Sequence, residues 1–219
     1  MKFRAESDLV DTLKESIQAS FNSAHVRIFQ EVSVGYGIAD LVVSDLKPST
    51  SNEANHGLTL NHNDINIYTI IHSSKQISLN TILTIVRSSK ASVSKSLEKL
   101  INRAYVLEVD GLYLSHVEYE PVFRNTFAVE AKLKDWKRAL KQAYRYKWFA
   151  EYSYVVLDSH YSKSALNNIQ AFEKHNVGLA SISVDGKLIR HFNPQRQKPL
   201  DPKMQILFSE KMKGYELAR

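Results

Sequence analysis

The chain of 219 residues contains no cysteine. That excludes a disulfide framework, a cysteine-ligated zinc site and a cysteine nucleophile, and it suits a reducing compartment, so a cytoplasmic protein is expected. Residues 1–15 carry charges throughout and lack the apolar core of a signal peptide. No run approaches the ~20 apolar residues of a membrane-spanning helix, and no membrane partner is expected. There is no glycine-rich phosphate loop and no Gly-x-Ser-x-Gly elbow, which argues against a nucleotide-driven enzyme or an elbow-type hydrolase. The histidines show no metal-ligand pairing. His56 and His62 flank a polar segment, His160 and His175 stand apart from the motifs below, and all four read as surface residues.

What is present is an ordinary globular composition, 43% apolar and 24% charged, with a formal net charge of +6. The positive balance permits a nucleic-acid partner without requiring one. Residues 6–21 form an amphipathic helical pattern with Leu9, Val10, Leu13, Ile17 and Phe21 on one stripe. Glu6 at its start suits either the helix dipole or a metal site. Residues 25–34 alternate as a strand, Gly35-Tyr36-Gly37 marks a turn, and residues 38–43 read as a second strand. Asp40 interrupts that apolar run, and a buried carboxylate needs a partner or a metal. Glu31 lies across the expected hairpin.

Residues 47–61 are polar and rich in small side chains, as in a linker. Helical patterns follow at 66–72, from Ser78 (a plausible N-cap), and at about 92–103. Asp110-Gly111 then joins two short strands, a hairpin signal. Helix, helix, short turn, helix and hairpin over residues 62–118 resemble a winged helix-turn-helix domain. That resemblance makes the third helix a DNA-recognition helix presenting Lys90, Ser92, Ser94, Lys95 and Lys99. A protein-docking role for such a module stays open. The expected hairpin tip lacks basic residues, which weakens a contact between wing and DNA backbone.

Phe127-Ala128-Val129 reads as a buried strand running into Glu130-Ala131-Lys132. Spaced by two, Glu130 and Lys132 leave one face of that strand, an acid beside a cation. A helix is expected from Leu133 to about Glu151, with Lys134, Lys137, Arg138, Lys141 and Arg145 along a basic side suited to phosphates. Further elements are expected as a strand at 153–157, a helix at 162–174, strands at 178–184 and 187–192, and a helix at 202–213.

This order, with Asp40 on one strand and Glu130-x-Lys132 on another, resembles the restriction-endonuclease-like superfamily of PD-(D/E)xK nucleases. Ala39 replaces the proline of the name. Gln142 and Tyr146 match a Gln-xxx-Tyr spacing of the exonuclease-like branch, where these residues support the active site and the DNA strand. Glu6 matches an acid on the first helix of resolvase-like members. Asp40 and Glu130 are ninety positions apart, so the winged helix reads as an insertion. The resemblance implies an α/β fold, a mixed central sheet flanked by helices and interrupted by an α+β winged-helix domain. Residues 1–46 and 119–219 would form the nuclease-like domain. It further implies a DNA phosphodiesterase using Mg2+, or Mn2+ in its place, with endonucleolytic cutting favoured. Asp40, Glu130 and the Ala131 carbonyl would hold the metal, with Glu31 and Glu6 as further ligands or support. Lys132 and Gln142 would join the catalytic set, and Tyr146 would contact DNA. A homodimer is expected for double-strand cutting. A non-catalytic DNA-binding regulator, and a subunit of a transposition or defence complex that docks protein through the winged helix, remain alternatives.

Overall fold

The computed structural model describes residues 1–21, 24–35, 37–47 and 59–217. Tyr36, His56 and most of the expected linker lie outside these residues. The chain forms two compact units, Met1–Pro48 with Phe123–Met204 and Ser49–Val122 with Gln205–Arg219. The boundary differs from the sequence expectation at the C-terminus, where the segment from Gln205 onward belongs to the second unit.

The first unit is a mixed α/β arrangement. Its elements are α1 (Glu6–Ser20), β1 (Val26–Ser33), β2 (Ile38–Leu46), and, after the second unit, β6 (Phe123–Lys132), α5 (Trp136–Tyr146), β7 (Tyr152–Asp158), α6 (Lys163–Leu166), α7 (Ile169–His175), β8 (Gly178–Ile182) and β9 (Leu188–Phe192). The strands form one sheet in the order β1-β2-β6-β7-β8-β9. The β6–β7 and β7–β8 pairs are parallel and the others antiparallel. Leu9, Leu13 and Ile17 pack α1 onto a face built from Leu41, Val43, Val129, Ala131, Val156 and Ala180. Buried Ala139 and Ala143 bring α5 close to β6 and β7, where the Ser153 hydroxyl donates to the Ala143 carbonyl.

Two helices differ from the periodicity. α5 is shorter than the expected 133–151, because β6 continues to Lys132 and Asp135 then caps the helix by accepting the Arg138 N–H at 3.2 Å. The helix expected at 162–174 divides at Asn167-Asn168, where the Asn168 amide donates to the Ser164 carbonyl at 2.8 Å. Gly178 sits against Tyr154, and a Cβ there would lie 2.3 Å from its ring. Gly178→Ala is therefore expected to destabilise the unit by about 1–3 kcal/mol through overpacking, read as a lower denaturation midpoint. An unchanged midpoint would show that the ring moves freely.

The second unit contains α2 (His62–Ser73), β3 (Ile77–Ser78), α3 (Leu79–Val86), α4 (Lys90–Asn102), β4 (Val106–Val109), β5 (Leu112–Ser115) and most of α8 (Pro202–Leu217). Ser78 caps α3 and Ser89 caps α4. β3 extends the Asp110-Gly111 hairpin to a three-stranded sheet in the order β3-β5-β4. Ile65, Ile67, Ile71, Ile82, Val93, Leu97, Leu100 and Val106 form its core, and Ile206 joins them from α8. Glu210 on α8 is buried; it accepts the Leu60 N–H and the Tyr119 hydroxyl and lies 3.8 Å from Arg103 Nη1.

Asp64 on α2 is buried beside Lys99, with 2.8 Å between Oδ2 and Nζ, and it accepts the Ser96 hydroxyl. Burial opposes its charge, but Lys99, Ser96 and the Asn61 N–H together hold its pKa below the ordinary 3.8. Its contribution to stability is thus present above pH 3.8 and lost as pH falls through the lower folded value. Asp64→Asn is expected to flatten that acid limb in pH-dependent unfolding of the second unit. A limb identical to wild type would remove Asp64 from its cause.

Candidate active site

The acids and the lysine meet where β2 and β6 part. The two strands pair from Leu46↔Phe123 to Leu41↔Val129. At the next position the Asp40 side chain takes the place of a backbone acceptor, and Oδ2 receives the Ala131 N–H at 2.7 Å. On its other side β6 stays paired with β7 through Glu130↔Val155, Ala131↔Val156 and Lys132↔Leu157. The motif is therefore held rigidly on one side and open toward β2 on the other. In a strand, the N–H and C=O of one residue point to the same side. The Ala131 carbonyl accordingly faces the β2 side, with Asp40.

Glu130 is 1% exposed. Its Oε1 lies 3.3 Å from Lys132 Nζ, and Nζ also lies 2.9 Å from Glu6 Oε2 in the first turn of α1. The Tyr146 hydroxyl forms a short hydrogen bond with Glu130 Oε2 and lies 2.6 Å from the Ile38 carbonyl. A phenol has one hydrogen, and here two acceptors are within reach. The Tyr146 hydroxyl is thus shared between the Glu130 carboxylate and the Ile38 carbonyl.

Burial pushes the Asp40 carboxyl up; the Ala131 N–H and Lys132 oppose this, and Glu6 and Glu31 add to it, leaving the pKa above 3.8. Burial also raises Glu130 above 4.5, with Asp40 adding repulsion against the opposing effects of Tyr146 and Lys132. Burial alone would lower Lys132, but Glu6, Glu130 and Asp40 outweigh it and raise the pKa above 10.5. Lys132 thus stays a cation at neutral pH. Burial and then Glu130 push the Tyr146 phenol far above its ordinary range.

Glu31 falls opposite Asp40 in the hairpin register, with a left-handed backbone at φ 51°. In a non-glycine residue such strain costs about 1–3 kcal/mol. Its exposed side chain acts on Asp40 by repulsion. Gln142, one turn before Tyr146 on α5, has a buried Oε1 with no hydrogen-bond partner among the described residues.

Among the described residues, no group of three or more histidine, aspartate or glutamate side chains is arranged to hold a metal ion. The oxygen donors at this site are the Asp40–Glu130 carboxylate pair and the Ala131 carbonyl. Such a set fits Mg2+, which usually takes one or two carboxylates and keeps several waters. Burial is the main cause that raises both carboxyls, with like-charge repulsion adding to it, and a cation bound between them would favour their charged forms.

Lys134, Lys137, Arg138, Lys141 and Arg145 are all exposed, and α5 contains no acidic residue. By helical spacing, Arg138 and Arg145 lie on the Gln142–Tyr146 side, while Lys137 and Lys141 lie farther round. Tyr146 differs from its expected role at DNA, since it is 2% exposed and engaged with Glu130. In the second unit Lys90, Ser92, Ser94 and Lys95 are exposed on α4. Lys99 is not placed with them; its ammonium is bound to Asp64 and to the Thr59 carbonyl at 2.6 Å. Residue spacing does not encode the Tyr146–Glu130 and Asp40–Ala131 bonds, although Tyr146 shares the buried side of α5 with Ala139 and Ala143.

No helix among the described residues is long and apolar enough to cross a membrane. No protein-family model and no curated protein matches the chain. Among solved structures it is similar to a chain of the "Nse1-Nse3-Nse4 complex", at 14% identity and a TM-score of 0.26, over 50% of each chain. A likeness at that score assigns neither fold nor function.

Proposed function

We propose that the chain is a metal-dependent DNA nuclease, with a restriction-endonuclease-like first unit and a winged helix in the second. The observation that carries this reading is the meeting of Asp40, Glu130 and Lys132 at the opening between β2 and β6, with both carboxyls raised and the lysine held charged. A divalent cation bound there would supply Lewis-acid neutralisation and a water of lowered pKa.

The chain's own residues then divide the work. Asp40 and Glu130 would supply carboxylate ligands to a hard cation, and the Ala131 N–H orients Asp40. Lys132, already protonated, cannot accept a proton from water. It serves as a fixed positive charge beside the scissile phosphate, and Glu6 anchors it. Tyr146 orients Glu130, and the unpartnered Gln142 oxygen offers an acceptor to a water at the site edge. The exposed cations of α5 suit the DNA backbone, and so, separately, do Lys90 and Lys95 on α4.

The test is cleavage of plasmid, single-stranded, nicked and branched DNA with Mg2+ or Mn2+. Lys132→Ala is expected to lower the rate by about 10²–10³-fold, the scale for losing one fixed charge-stabilising group. No cleavage of any substrate by the wild-type chain would overturn the reading. Equal rates for the variant would remove Lys132 from the chemistry.

A further inference from the structure

The β4–β5 hairpin has an apolar face opposite the one that joins the core of the second unit. Leu107 lies opposite Leu114, and Val109 opposite Leu112, so the twofold alternation of strands puts all four aliphatics on one face. The other face carries Val106, Tyr113 and Ile77, which are buried in the core. Leu112 and Leu114 on this face are half-buried. Leu107 is 41% exposed and Val109 52%. β4 is also an edge strand, and no described strand pairs with its outer side.

Charge decides what could cover this surface. Residues 104–122 contain Glu108, Asp110, Glu118 and Glu120 and no lysine or arginine, in a chain of net charge +6. Phosphates would be repelled by the Glu108–Asp110 tip. A second copy would bring the same acids against themselves. β4 reads Leu107-Glu108-Val109 into Asp110, aliphatic and acid in alternation. The strand that complements it across an edge has aliphatic and basic residues in alternation, so that apolar groups pair on one side and ions on the other.

We propose that the outer edge of β4 docks an extended segment of a partner protein with alternating aliphatic and basic residues. Its aliphatic side chains continue the Leu107–Val109 face, and its lysines or arginines meet Glu108. This inference stands independently of the nuclease reading.

The probe is a short synthetic peptide of alternating valine and lysine, with a valine–glutamate peptide and a duplex DNA as comparisons. Backbone amide shifts of the full chain are followed by NMR. The valine–lysine peptide is expected to shift β4, and the valine–glutamate peptide is not. Glu108→Lys should reverse that preference. Leu107→Ser with Val109→Ser, both exposed positions, should weaken binding about tenfold or more and leave the amide shifts of the first unit unchanged. The proposal is overturned if the valine–lysine peptide does not bind or binds these variants equally. It is also overturned if duplex DNA shifts β4 instead, or if sedimentation shows a dimer that the Ser substitutions dissolve.

Discussion

Asp40→Asn is expected to abolish metal-dependent cleavage and, at neutral pH, to raise the melting temperature of the metal-free protein. The two effects share one cause. Asp40 and Glu130 are carboxylates crowded together in a poorly solvated site, and both have pKa values raised above the ordinary 3.8 and 4.5. A raised carboxyl contributes stability that is fully present below its unfolded pKa and lost as pH rises through the folded value. At neutral pH the metal-free site therefore works against folding. Asparagine keeps an oxygen for the Ala131 N–H, which Asp40 receives at 2.7 Å, but removes the charge. The same charge is what would hold the cation, so its loss should cost about 10³-fold or more in rate, about 4 kcal/mol at 1.36 kcal/mol per decade. Mg2+ should raise the melting temperature of the wild type and leave the variant unmoved. Rate, melting temperature with and without Mg2+, and their pH dependence check this. Retained cleavage, or a variant that melts lower than wild type in the absence of metal, would contradict it.

Glu210→Ala is expected to destabilise the second unit by about 3–5 kcal/mol, the cost of breaking a buried charge pair from one side. Glu210 is 3% exposed and the Arg103 side chain 8%. Without the carboxylate, Arg103 Nη1, which already has no hydrogen-bond partner among the described residues, would face no opposite charge there. The Leu60 N–H and the Tyr119 hydroxyl would each lose an acceptor. Burial and Glu210 push the Tyr119 phenol far above its ordinary range, so it remains a donor in need of a partner. Limited proteolysis and thermal unfolding should show cleavage near residues 59–122 at lower temperature than in wild type. Glu210→Gln, which retains an acceptor, should lose less. Wild-type proteolysis of the alanine variant would show that α8 is held by its apolar residues alone.

Much of the fold was legible because its signals are local. α1 follows from a helical stripe, the Asp110-Gly111 hairpin from two residues in a tight turn, and the starts of α3 and α4 lie beside Ser78 and Ser89, each of which caps a helix. Boundaries were less legible where a strand and a helix compete for the same residues, as between β6 and α5. There a single capping carboxylate, Asp135, marks the change. The candidate site was legible as residue types. An acid in an apolar strand and a Glu-x-Lys pair at a strand end can be seen without knowing what they touch.

The sequence by itself determined the two chemical halves of the site, the basic face of α5 and the acidic character of the hairpin, because periodicity and composition act along the chain. Only the tertiary structure decided the partners. Asp40 meets Ala131 ninety-one positions away, and Lys132 meets Glu6 across 126. Packing turned Tyr146 inward to Glu130, bound Lys99 to Asp64, and placed α8 from Gln205 onward with the second unit. The physical reason is the same in each case. A long polar side chain satisfies its charge or hydrogen bond wherever folding brings a complement within about 3 Å, and no local pattern encodes that meeting.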